Sequence, residues 1–233
     1  MRIDILTGFH KILDGPLNES IIKIGRKKGA AQIVVHDLRD YTDDKHKTID
    51  DYPYGGGPGM VLKVEPIIRA LDKLFGELKR EKAQILLPSP RGTRFSQGMA
   101  TRYSLKEHLV IICGHYKGID ERVHDFYKIE EVSIGDYILS SGEIAALVLV
   151  DAVVRLLPGV IKDIDSAWTD SFSDDLLDAP HYTRPANFRG IKVPEALTSG
   201  DHQRIENWRL QKREEITRKR RPDLYEKYYK NNK

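Results

Sequence analysis

The chain is poor in sulfur and has no long apolar run. Its single cysteine, Cys113, excludes an internal disulfide and a zinc site built from several thiolates. That thiol sits in LVIICG, an apolar run that reads as a strand, and is expected in the core rather than at work as a nucleophile. The longest uncharged apolar run, Ile144 to Val150, is far too short to span a bilayer. The opening MRIDILTGFH lacks the apolar h-region of a signal peptide, so a cytoplasmic protein with no membrane association is expected. Internal repeats are absent. An excess of one charge sign is also small, at a formal +3. It is unevenly placed, however: Phe172 to Lys233 carries 14 Lys+Arg against 10 Asp+Glu, which leaves the residues before it at −1.

What is present is a soluble globular composition, 40% hydrophobic and 31% charged, in a chain of 233 residues. That length suffices for one large domain or two modest ones. In the C-terminal quarter Trp208, Tyr225, Tyr228 and Tyr229 lie among the basic residues, a mixture suited to a nucleic-acid surface and equally to a solvated basic helix.

Short β-rich runs alternate with helical ones over the first 160 residues. Strands are expected at Arg2–Leu6, Gln32–His36, Gln84–Leu87, Leu109–Cys113 and Ile129–Ile134. Helices are expected at Glu19–Lys28, Val64–Leu78, Ser96–Ser104 and Glu143–Leu157. This alternation predicts a parallel α/β sheet with helices on both faces. Ser140 and Glu143 have the spacing of a capping box at the start of the last helix. Gly135 to Gly142, between strand and helix, reads as a loop, and the same residues describe equally a binding turn or a capped core helix behind a surface loop.

Arg39 to Pro58 is too polar and glycine-rich for a regular element, and a loop this long is usually functional or flexible. Gly55, Gly56, Gly57 and Gly59 are not a phosphate-binding P-loop, because Met60-Val61-Leu62 follows where Gly-Lys-Ser/Thr is needed. Lys162 to Asp178, rich in Asp and Ser, reads as an interdomain linker. Beyond it the pattern is helical, at His202–Arg218 and Pro222–Tyr229, in a domain too small to be the catalytic body.

Four segments look unlike scaffolding: LPSPRG (87–92), CGHYKGIDERV (113–123), SIGDYILSSGE (133–143), and AWTDSF (167–172) with HYTRP (181–185). The first three each follow an expected strand. In a parallel sheet their loops would converge on the carboxyl edge and make a pocket lined by backbone, suited to an adenine and ribose.

In this order, IDDYPYGGGPGM, CGHYKGIDERV, IGDYILSSGE and LLDAPHYTRP closely resemble the bacterial tRNA (guanine-37-N1)-methyltransferases, the TrmD family of the SPOUT class, over about residues 1 to 222. The resemblance implies an α/β fold, a SPOUT-type parallel sheet with a deep trefoil knot, plus a small all-helical C-terminal domain. It divides the chain into a knotted S-adenosylmethionine-binding domain at 1–160, a linker at 161–178 and a helical tRNA-binding domain at 179–233. The implied reaction is methyl transfer from S-adenosyl-L-methionine to N1 of guanosine 37 of tRNA, beside the anticodon. The implied assembly is a homodimer with its active site at the subunit interface.

Residue by residue, the resemblance places the cofactor against Pro90, Gly114, Ile134, Gly135, Asp136, Tyr137, Ile138, Leu139 and Gly142. It assigns the general base to Asp170 and the cation facing guanine O6 to Arg155. Without it, Asp170 would read as a capping linker residue and Arg155 as the partner of Asp151 in an i,i+4 ion pair. RNA contacts are implied for Asp50, Gly59, His181, Arg184, His202 and Arg209. His46 reads as a surface residue, and Trp208 as an RNA contact or an interdomain packing residue. Lys117 departs from the family, standing where relatives carry Glu. Magnesium enters by resemblance alone, since no metal-ligand cluster is legible.

Overall fold

The structure is a computed structural model that describes residues 1–77, 83–161 and 170–231. It divides into two compact units, Met1–Lys162 and Asp163–Lys233. Leu78, residues 162–169 (with Ala167, Trp168 and Thr169 of AWTDSF) and the last two residues lie outside the described residues.

The first unit runs β1 (Arg2–Thr7), α1 (Lys11–Asp14), α2 (Ser20–Lys27), β2 (Gln32–Asp37), β3 (Asp50–Asp51), β4 (Val61–Leu62) and α3 (Val64–Glu77). It continues with β5 (Ala83–Arg94), α4 (Gln97–Ser104), β6 (His108–Ile112), α5 (Val123–Phe126), β7 (Ile129–Ser133) and α6 (Gly142–Val154). Five strands form one sheet in the order β2-β1-β6-β5-β7, with every pairing parallel.

Side-chain alternation along these strands builds a core on each face. Ile3, Ile5, Leu86, Leu109 and Ile111 bury against Leu13, Ile22, Tyr103, Leu149 and Val153 of α1, α2, α4 and α6. Leu6, Ile85, Leu87, Val110 and Ile112 point the other way, onto Ile67, Leu71 and Leu74 of α3 and Val123 of α5. Cys113 lies in the first of these cores, fully buried, and burial, helped by the charge of Glu143, pushes its thiol well above the usual range.

The structure differs from expectation at several places. Strand β5 runs to Arg94 rather than Leu87, because the chain resumes pairing with β7 after a break: Pro88 and Thr93 both align with Val132. The capping box is not formed. Ser141, not Ser140, is the N-cap of α6, and Glu143 is fully buried instead of folding back on its own helix. Helix α6 ends at Val154 rather than Leu157, its last residues tightening into i→i+3 bonds from Leu156 to Val153 and Leu157 to Val154, both 3.1 Å. The polar stretch 39–58 contains regular structure after all, since Asp50–Asp51 pairs with Val61–Leu62 as an antiparallel ribbon.

The second unit has β8 (Asn187–Phe188), β9 (Ile191–Lys192), α7 (Glu195–Thr198), α8 (His202–Arg220) and α9 (Pro222–Asn231). It is therefore not all-helical: β8 and β9 pair as a small antiparallel hairpin, turned by Arg189 and Gly190, both at positive φ. Asp201 caps α8 through its side chain, and Pro222 opens α9, where the missing N–H costs nothing. Residues 170–178 fold onto these helices. The Leu177 N–H donates to Thr217 Oγ1 at 2.8 Å, Lys227 pairs with Asp175 at 2.6 Å, Arg213 pairs with Asp174, and Leu176 is buried.

Candidate active site

Three loops leave the carboxyl edge of the sheet and enclose a cleft of about 590 Å³, a volume ordinary for a small-molecule site. The first is the excursion 89–92 within β5. Gly92 is obligatory at its return, because a Cβ there would sit 2.2 Å from Val132 N and 2.3 Å from Glu131 C. The second is 114–121, after β6. The third is 134–142, after β7, folded on itself: Tyr137 N–H donates to Gly135 O at 3.0 Å, and the Tyr137 hydroxyl donates to Ile134 O at 3.2 Å.

The second and third loops meet at Gly114 and Gly142. The Gly142 N–H donates to Gly114 O at 2.8 Å, and a Cβ on Gly142 would lie 2.8 Å from Gly114 N. The first turn of α6 is anchored from behind, where the Thr7 hydroxyl at the end of β1 donates to Glu143 Oε1. Pro90, Gly114, Ile134, Gly135, Tyr137, Ile138, Leu139 and Gly142 all line the cleft. Asp136 is exposed in the same loop but is not part of the wall.

Apolar walls from Leu87, Val132, Ile134 and Ala145 face a rim that carries Arg91, Lys117 and Glu121. Arg91 bridges two of the loops, donating to Glu121 at 3.1 Å and to Glu131 at 3.0 Å, and its guanidinium is held above its ordinary value chiefly by the bond to Glu121. An apolar cleft edged with backbone groups and mixed charge suits a small molecule that has both apolar and charged parts. Among the described residues no three His, Cys, Asp or Glu are grouped as metal ligands.

Asp50 and Gly59 belong to the β3–β4 ribbon, which is docked on the second loop. Lys117 N–H donates to Met60 O at 3.0 Å, Leu62 N–H to Gly118 O at 3.0 Å, and Asp120 N–H to Leu62 O at 2.9 Å. A Cβ on Gly59 would lie 3.2 Å from the Lys117 stem. Tyr116 lies against Asp50, and that hydrogen bond, more than burial, raises its phenol. His46 is exposed.

Arg155 is the half-buried C-cap of α6. Its backbone N–H donates to Asp151 O at 3.1 Å, the helix's own bond. Asp170 is half-buried in the second unit, its carbonyl accepting from Ser173 N–H at 3.4 Å. In that unit His181 Nε2 lies 2.8 Å from Asp178, Arg209 pairs with Glu206 at 2.7 Å, and Arg184 and His202 are exposed. Trp208 packs edge-on against Tyr182, with ring centroids 6.2 Å apart.

Sequence reasoning missed Arg91, Glu121 and Thr7 as parts of the site. Arg91 and Glu121 stand inside segments already singled out, but nothing along the chain signals that they meet. Thr7 and Glu143 are separated by 136 positions.

The model of the tRNA (Guanine-1)-methyltransferase TrmD family matches residues 1–227. Relatives carrying the name tRNA (guanine-N(1)-)-methyltransferase include proteins of Cytophaga hutchinsonii (52% identical, covering 99% of this chain and 97% of the relative) and Bacteroides thetaiotaomicron (50% identical, covering 97% and 100%). Another, from Carboxydothermus hydrogenoformans, is 53% identical over 96% of this chain and 87% of its own length. With a family match over nearly its whole length and half its residues shared with such relatives, the chain belongs to the TrmD tRNA (guanine-1)-methyltransferase family.

Proposed function

We propose that this protein transfers a methyl group from S-adenosyl-L-methionine to N1 of guanosine 37 in tRNA. The observation that carries the reading is the cleft at the carboxyl edge of the sheet, to which the excursion at 89–92 and the loops after β6 and β7 all contribute. Pro90, Gly114, the backbone of 134–139 and Gly142 would hold the donor, which supplies an electrophilic methyl on a sulfonium.

The remaining chemistry falls to this chain's side chains. N1 of guanine carries a proton at neutral pH and is a poor nucleophile until it loses it. Asp170 takes that proton as general base. As N1 is deprotonated, negative charge moves onto O6, and the guanidinium of Arg155 stabilises it there. Asp50, Gly59, His181, Arg184, His202 and Arg209 hold the RNA. The excess of basic residues beyond Phe172 favours binding of a polyanion by the second unit.

The same reading takes the protein as a cytoplasmic SPOUT-class enzyme with a trefoil knot. It has a donor domain at 1–160, a linker at 161–178 and a tRNA-binding domain at 179–233, and it acts as a homodimer whose linker covers the partner's donor site. Among the described residues no helix is long and apolar enough to cross a membrane. The test is incubation with methyl-labelled S-adenosylmethionine and two tRNA transcripts, one with guanosine at position 37 and one with adenosine there. Label is expected on the first alone; equal labelling of both would refute the assigned position.

A further inference from the structure

The glycine-rich ribbon between β3 and β4 carries two aromatic rings that its own fold leaves bare. Tyr52 is 78% exposed and Tyr54 is 99% exposed. The backbone is the cause. Gly56 N–H donates to Pro53 O at 3.2 Å, closing a four-residue turn with Gly55 at φ +85. This is the geometry of a type II turn, with Tyr54 at its first corner, where a side chain points outward. Gly57 at φ +109 and Gly59 at φ +99 carry the chain back to β4, so no bulky neighbour covers the rings.

A single exposed tyrosine needs no explanation. Here two lie two residues apart, on a ribbon pinned by backbone hydrogen bonds to the wall of the donor cleft. Two exposed aromatic rings on a ribbon docked at the edge of the cleft have the chemistry of a base-stacking platform.

We propose that Tyr52 and Tyr54 form a stacking surface for an unstacked base of the RNA substrate next to the target guanosine, distinct from the donor cleft. The inference rests on the tRNA-methylating reading above and adds to it how the anticodon loop is held open. Stacking tolerates any base, so the platform contributes affinity and orientation rather than sequence choice.

The experiment uses the full-length protein and an anticodon stem-loop RNA with 2-aminopurine placed on one side of the target guanosine, then on the other. Binding to the wild type is expected to quench the probe at one of the two positions. The Tyr52→Ala/Tyr54→Ala double variant is expected to lose that quenching and to bind the RNA roughly tenfold or more weakly. The Tyr52→Phe/Tyr54→Phe double variant, which keeps the rings, is expected to behave as wild type, and S-adenosylmethionine affinity should be the same for all three. Wild-type RNA affinity in the Ala variant, or an equal defect in the Phe variant, would overturn the proposal. A wild type that binds neither the donor nor the RNA would instead overturn the functional reading, and this inference with it.

Discussion

The Thr7 hydroxyl donates to Glu143 Oε1, joining the carboxyl end of β1 to the first turn of α6, with both residues buried. The same hydroxyl accepts from Phe9 N–H at 2.8 Å, so one side chain ties strand, turn and helix together. One oxygen of the buried Glu143 carboxyl has this donor, while Oε2 is buried without a hydrogen bond among the described residues, and the group lies at the positive end of a 13-residue helix. Thr7→Val removes the donor and strands the carboxylate, and is expected to cost about 1–3 kcal/mol in urea unfolding. Thr7→Ser keeps the hydroxyl and should recover most of that loss.

Asp4 predicts how the fold responds to acid. Burial alone would push its carboxyl up, but hydrogen bonds from His108 and His36, each 2.7 Å, and then Arg2 outweigh burial and hold it far below the ordinary value of 3.8. A folded-state pKa depressed in this way contributes stability that is complete above 3.8 and is lost as pH falls through the folded value. Asp4→Asn breaks a buried network across β2, β1 and β6 and is expected to cost roughly 3–5 kcal/mol at pH 7. Unfolding measured from pH 7 downward should show the gap between wild type and variant narrowing as the solution is acidified below the ordinary aspartate range. A gap that widened would reverse the sign of the linkage.

Two glycines of the cleft should respond differently to alanine. At Gly142 the new Cβ meets backbone, Gly114 N at 2.8 Å and Cys113 Cα at 3.0 Å, so the second and third loops must move apart. At Gly114 it meets only side chains of Ile119 and Leu87, each at 3.9 Å. Calorimetric titration with S-adenosylmethionine is expected to show about tenfold or greater loss of affinity for Gly142→Ala, on the order of 1.4 kcal/mol or more. Gly114→Ala should melt as the wild type does.

The parts of the molecule legible in its sequence are those governed by local rules. Ile3 and Ile5 alternate with Asp4 and Leu6, and that period of two marks a strand buried on both faces. The helix expected at Ser96–Ser104 forms at Gln97–Ser104, with Ser96 as its N-cap, whose side chain accepts from Met99 N–H. The three loops of the cleft were legible because each follows an apolar run. What escaped depends on contacts distant in sequence. Glu143 has capping-box spacing from Ser140, yet Thr7, far away along the chain, offers the better-buried partner. The continuation of β5 past two prolines is set by where β7 lies, and Asp4 shows nothing in sequence of the two histidines that converge on it.

If Arg155 stabilises charge on O6 as proposed, Arg155→Ala is expected to lower kcat by about a hundredfold or more while leaving KM for tRNA within a few-fold. The check is a steady-state titration of tRNA at saturating donor. A defect confined to KM and relieved by excess tRNA would make Arg155 a positioning residue.

The central claim is that Asp170 takes the N1 proton, and single-turnover methylation of a guanosine-37 transcript by Asp170→Asn tests it most directly. The account predicts wild-type affinity for donor and tRNA with methyl transfer slowed by about a thousandfold or more. Transfer at a near-normal rate would contradict it.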